Sequence, residues 1–96
     1  MSEDFSFKNI LGEIDRSETH LVVRMETRRW GKAVTVIQGL EKTGRSIQVI
    51  AHSLKSRLAT GGTVKEGLII LQGDHRTRVK EELVKQGFPA ANIDVF

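Results

Sequence analysis

The chain has 96 residues, of which 39% are hydrophobic and 28% charged, with a formal net charge of +3 and no cysteine. That length leaves room for one hydrophobic core and excludes two independent domains, and the composition is neither that of a disordered chain nor that of a membrane-spanning one. Without thiols there are no disulfides, thiolate nucleophiles or zinc ribbons.

The charge is unevenly divided. Residues 1–19 carry two basic side chains, Lys8 and Arg16, against five acidic ones, whereas residues 20–96 carry thirteen basic against seven acidic. The expected organisation is therefore an acidic, loosely held extension at 1–19 followed by a basic domain at 20–96. A basic domain of this size suits a polyanion, and RNA, DNA or an anionic membrane all qualify on charge alone. No apolar run approaches the roughly 20 residues needed to cross a bilayer, and Met1-Ser2-Glu3-Asp4 is unlike a secretory signal, so a cytoplasmic protein without a membrane partner is expected. His20, His52 and His75 show no ligand spacing, and neither a metal nor another cofactor is expected.

In chain order, Phe5, Phe7, Ile10, Leu11 and Ile14 are scattered through the first segment without a sustained period. From His20 to Arg28, Leu21, Val23 and Met25 alternate with Val22, Arg24, Glu26 and Arg28, the pattern of a half-buried strand. After Arg29-Trp30-Gly31-Lys32 comes a second β-branched run, Ala33–Ile37, which makes a hairpin with a basic tip. Ser46 is a helix N-cap ahead of Ile47, Ile50, Ala51, Leu54 and Leu58, one apolar stripe facing a core. Thr63–Val64 and Leu68–Gln72 form a second hairpin across Lys65-Glu66-Gly67. Gly73 makes a corner and Asp74 caps a helix beginning near Arg76, with Val79, Leu83, Val84 and Phe88 on its buried side and Gly87 and Pro89 at its end. Asn92–Phe96 reads as a last strand. Gly61 and Gly62 read as a turn that needs positive φ.

The order is β-β-α-β-β-α-β. An α+β two-layer sandwich is the economical packing, with a mixed sheet carrying both helices on one face and its other face open. The crossover through the first helix can bring the following strand parallel to Ala33–Ile37.

Asp74-His75 is the one pairing that invites a catalytic reading, but neighbours in sequence rarely aim at one point and no nucleophile completes the set, so enzyme activity is not expected. A phosphate-loop reading of Gly61-Gly62-Thr63 fails on spacing and on element order. The sharper candidate is Arg28-Arg29-Trp30-Gly31-Lys32, three cations and an indole on a projecting turn, a set that suits phosphate contacts and base stacking; Lys42 and Arg45 can add to its field. Neither RRM-type aromatics nor a KH clamp is present, so backbone and shape recognition of folded RNA is the expected mode.

Several blocks resemble the eukaryotic and archaeal translation initiation factor 1 family. Arg28 to Leu40, Arg-Arg-Trp-Gly-Lys-Ala-Val-Thr-Val-Ile-Gln-Gly-Leu, is similar to its basic loop and second strand. Leu58-Ala59-Thr60-Gly61-Gly62-Thr63-Val64 is similar to its post-helix turn, Leu71-Gln72-Gly73-Asp74-His75-Arg76 to its second helix start, and Gly87-Phe88 to that helix's end. Gly-Gly-Thr-Val and the His after Gly-Asp look more like the archaeal branch than the eukaryotic one.

The resemblance implies a non-enzymatic monomer that binds small-subunit ribosomal RNA near the P site and promotes start-codon fidelity by opposing initiator tRNA at non-cognate codons. Messenger RNA and other initiation factors are the further partners implied. It places Arg28, Arg29, Gly31 and Lys32, with Trp30 beside them, against ribosomal RNA, Lys55 and Arg57 on a helix facing the subunit, and Lys65-Glu66-Gly67 at a tRNA-facing turn. Gly61, Gly62, Gly73 and Asp74 are then structural turns and a cap. The alternative from another class is a free-standing RNA- or protein-binding adaptor of the same fold.

Overall fold

Period-two alternation and β-branched runs build five strands, and two apolar stripes of helical period build the helices that cover them. A computed structural model describes residues 20–96, so the expectation for residues 1–19 lies outside the described residues. The elements are β1 (Leu21–Arg28), β2 (Lys32–Gln38), α1 (Ile47–Leu58), β3 (Gly62–Lys65), β4 (Leu68–Gln72), α2 (Arg76–Lys85) and β5 (Ile93–Val95). Their order is the expected β-β-α-β-β-α-β, an α+β sandwich.

The sheet runs β3-β4-β2-β1-β5. Three of the four pairings are antiparallel, and β5 joins β1 in parallel. β3 does run parallel to β2, as the crossover through α1 suggests, but β4 lies between them.

The register Val23↔Ile37 and Ile37↔Ile69 sets one face of the sheet under the helices. Leu21, Val23, Ile37, Ile69, Leu71 and Ile93 meet Ile50, Ala51, Leu54 and Leu58 of α1 and Val79 and Leu83 of α2, with Leu40 and Phe88 closing the core. Each of the larger side chains among them stabilises the fold by about 1.5–3 kcal/mol relative to exposure. Two expected core residues miss it. Met25 is 37% exposed and Val84 41%: Met25 lies two residues beyond Val23 towards the end of β1, and Val84 falls off the Val79–Leu83 stripe.

Local chemistry fixes the helix ends. The Ser46 hydroxyl accepts from the amide of Val49 at 3.3 Å, the expected cap. α2 stops where Gly87, at φ +102, lets Phe88 N–H donate to Leu83 and Gly87 N–H to Val84, the paired bonds of a Schellman end with Phe88 and Leu83 both in the core.

Two expectations need correction. Gly61 and Gly62 do not have positive φ; the left-handed residue after α1 is Ala59, at φ +51. The glycines are there for space: a Cβ on Gly62 would lie 2.6 Å from the carbonyl oxygen of Ile70, and one on Gly61 3.0 Å from the side chain of Gln72. Asp74 is also not the N-cap of α2. His75 holds that position without a side-chain cap, and Asp74 turns its carboxylate to Arg76 instead, with only a long 3.4 Å contact to the Arg76 amide. A charged two-bond partner competes successfully with a backbone amide.

Candidate nucleic-acid interface

The antiparallel registers decide which loops share an end of the sheet. Arg28 faces Lys32 across the first hairpin and Val34 faces Gln72, so the basic loop, the Gly73–Arg76 corner and the start of α2 lie at one end. α1 finishes at that end too, because Gly62 pairs with Leu71 just after it. The Lys65-Glu66-Gly67 turn lies at the other end, roughly 20 Å away along the strands. There Glu41 packs against the α-carbon of Gly67.

At the basic end, Arg29–Gly31 form a single 3-10 turn, and every residue from Arg28 to Lys32 is exposed. Trp30 is 88% exposed and sits in the left-handed region at φ +69, which few residues other than glycine adopt without cost. An indole held outside the fold by an unfavourable backbone is a feature that packing does not explain. Gly31 follows at φ +74 with open space where a Cβ would be. Among the described residues, Arg29 and Lys32 are in no ion pair.

The same end gathers cations that charge counting alone did not assign to it. Arg57 is exposed at the C-terminal end of α1, 3.8 Å from Glu82, and its carbonyl accepts from Arg78 at 3.4 Å. Lys55 is half-buried on the same helix. Asp74, His75, Arg76, Thr77, Arg78 and Val95 line an open depression of about 270 Å³ beside the loop end. Arg76 donates to both Asp74 oxygens at 2.8 Å and to the carbonyl of Phe96 at 2.7 Å. Hydrogen bonding to that guanidinium holds the Asp74 carboxyl below the usual carboxylate range and raises Arg76 in turn.

The corner itself is built from the strand beneath it. Buried Thr35 donates from Oγ1 to the carbonyl of Gly73 at 2.7 Å and accepts from the amide of His75 at 2.8 Å, fixing where α2 begins relative to the loop. The His75 ring meets the Gln72 carbonyl at 2.8 Å, so the Asp74 carboxylate and the His75 imidazole do not converge on one point.

Other sequence candidates go elsewhere. Arg45 does not add to the loop's field: its guanidinium lies 4.5 Å above the Phe88 ring and donates to the carbonyl of Gln86, at the far end of α2. Lys42 follows Glu41 in the turn at that far end. Among the described residues there is no grouping of His, Asp and Glu that could hold a metal ion, and no helix is long and apolar enough to cross a membrane.

Residues 17–89 match a family model described as "Translation initiation factor SUI1". The chain is 48% identical over 85 residues to the "Protein translation factor SUI1 homolog" of Sulfolobus acidocaldarius, covering 88% of this chain and 86% of the relative. It is 50% identical over 84 residues to the homolog of Sulfurisphaera tokodaii, covering 88% and 84%, and 51% identical over 81 residues to that of Hyperthermus butylicus, covering 84% and 79%. These relatives belong to the archaeal branch.

Proposed function

The chain belongs to the translation initiation factor SUI1 family, and from that premise we propose that its basic end binds RNA of the small ribosomal subunit near the P site. The family is not one of enzymes. The observation that carries the reading is the loop Arg28-Arg29-Trp30-Gly31-Lys32, exposed along its whole length at the end of the sheet that also carries Arg57 and Arg78. Among the described residues Arg29 and Lys32 are outside any ion pair; on a projecting turn such cations repel one another until phosphates neutralise them, and Trp30 adds a face on which an unpaired base stacks.

The opposite end carries the second half of the proposal. Glu66 and Gly67, at φ +52 and +79, make the tight two-residue turn of a primed hairpin, so Lys65-Glu66-Gly67 forms a short, stiff projection. With the basic loop on ribosomal RNA, this turn faces initiator tRNA and opposes it until codon and anticodon match. A mismatch separates cognate from near-cognate pairing only modestly; a factor whose binding is coupled to tRNA seating converts that difference into a choice, and the coupling must be reciprocal.

Co-sedimentation with purified small subunits, with large subunits as control, tests the first half. Equal or absent binding to both overturns it and leaves a free-standing adaptor. The second half is read from the dissociation rate on programmed small subunits: initiator tRNA on AUG releases the protein faster than the same tRNA on a near-cognate codon. Equal rates leave a ribosome binder with no part in start-codon choice.

A further inference from the structure

The open face of the sheet carries a charge arrangement that the loop reading does not use. Period two puts Arg24, Glu26 and Arg28 side by side along β1, with Lys32 opposite Arg28 and Gln38 diagonal to Arg24 on β2. Both arginines lean on the one carboxylate between them. Arg24 donates to Glu26 Oε2 from Nε at 3.1 Å and from Nη2 at 2.8 Å, while its Nη1 donates to Gln38 Oε1 at 2.7 Å. Arg28 Nη2 lies 3.1 Å from the other oxygen, Oε1. One glutamate thus engages two guanidiniums, and Gln38 anchors the outer one.

Without that carboxylate, Arg24, Arg28 and Lys32 form a row about 13 Å long running down the sheet from the basic loop. A cationic track of this kind follows a single-stranded backbone without regard to sequence or shape. We propose that Glu26 is a specificity-determining residue: by engaging Arg24 and Arg28 it withdraws the sheet face from polyanion binding and confines RNA contact to the loop tip, where Arg29, Trp30 and Lys32 meet a folded partner. A factor that binds one ribosomal position among a large excess of other RNA needs such suppression of the wrong complexes.

The inference rests on the RNA-binding reading of the loop, and its test separates the two. Binding of full-length wild-type protein and Glu26→Gln to a uridine homo-oligomer and to purified small subunits is measured across a potassium chloride series. Glutamine keeps the size and one acceptor of glutamate but removes the charge. For the oligomer, Glu26→Gln is expected to tighten binding several-fold to about tenfold and to steepen the salt slope by about 0.7–1.4, the single-strand value for one to two added phosphate contacts. The gain on small subunits is smaller, so the preference for subunit over oligomer falls.

Two further variants keep the result specific. Glu81→Gln, on the exposed outer side of α2, changes net charge equally and is expected to leave the preference unaltered. In an Arg24→Gln, Arg28→Gln background, adding Glu26→Gln produces no further gain. An unchanged slope and preference in Glu26→Gln, an equal effect in Glu81→Gln, or a gain that survives loss of both arginines overturns the proposal. Wild-type protein that binds neither RNA removes the reading beneath it, and the proposal with it.

Discussion

The two ends of the sheet use the same residue types for opposite purposes. At the end built by Gly39–Arg45 and the Glu66-Gly67 turn, charges alternate in sign along the chain, as Glu41-Lys42 and Lys65-Glu66, and Arg45 is occupied by Phe88 and Gln86. Two of its glycines, Gly39 and Gly67, are packed against, whereas Gly44 has open space. A Cβ on Gly39 would lie 2.2 Å from the carbonyl oxygen of His20. At the other end the loop from Arg28 to Lys32 is exposed, its glycine has open space, and its tryptophan touches solvent. Side chains with internal partners hold a fold together; those left without them are available to something outside it. The contrast is one of packing against exposure, and it is visible without reference to any relative.

The contrast breaks most visibly at one positive-φ glycine from each end, Gly39 and Gly31. Gly39→Ala combines a left-handed backbone with a clash against main chain, and should destabilise the domain by about 3 kcal/mol, lowering the melting temperature by roughly 12–24 °C. Gly31→Ala meets only the backbone cost, about 1 kcal/mol. Thermal melts of the two variants compare the ends directly; similar losses would mean that the basic loop is as tightly built as the far turn.

Binding should respond in the reverse order. Arg28→Ala with Arg29→Ala and Lys32→Ala is expected to reduce the salt slope of small-subunit binding by about 2, since Glu26 engages Arg28, while leaving the melt nearly unmoved, because the loop contributes little to the core. Within that loop, Trp30→Gly sharpens the division between stability and function. Relieving the left-handed tryptophan should stabilise the fold by about 0.5–1 kcal/mol, and losing the stacking face should weaken RNA binding by about 1–3 kcal/mol. A variant that binds as well as wild type would make Trp30 an ornament of the turn.

The smallest expected effect concerns Asp74. Its carboxyl is held below the ordinary value of 3.8 by the Arg76 guanidinium in the folded chain, so the unfolded chain takes up the proton first as pH falls. The stabilisation is fully present above the unfolded value and is lost as pH drops through the depressed folded one. Asp74→Asn should therefore lower the melting temperature slightly at neutral pH, and the difference from wild type should close in strong acid. A gap that is independent of pH would assign the effect to lost packing.

Element type and order were legible in the sequence because each rests on local chemistry: alternation in β1, the stripe Ile50-Ala51-Leu54-Leu58, Ser46 before its helix and Gly87 after the other. What escaped depends on partners brought together by the fold. Gly62 looks like any turn glycine until Ile70 is seen lying against it, and Asp74 looks like a cap until Arg76 turns back to meet it. Arg45 belongs by sequence to the loop's field and by structure to Phe88. Glu26 is the exception. Its place between Arg24 and Arg28 follows from a period of two, and the three charges on one face were the available signal for a clamp.

The parallel pairing of β5 with β1 bears on how the domain assembles. Ile93 sits beside Leu21, so the first and last strands meet only after the intervening chain has been laid down. Closing a loop of that length in an otherwise unfolded chain costs about 4 kcal/mol of chain entropy by the usual logarithmic law, and much less once α2 is docked on β1. The return comes from a strand of three residues, from burial of Leu21 and Ile93, and from the Arg76 bond to the carbonyl of Phe96. Until β5 is in place, the hairpin of β1 and β2 has one edge bare. An edge strand of three residues held from one side is accordingly expected to form last and to leave first, which native-state hydrogen exchange would show as early opening at β5.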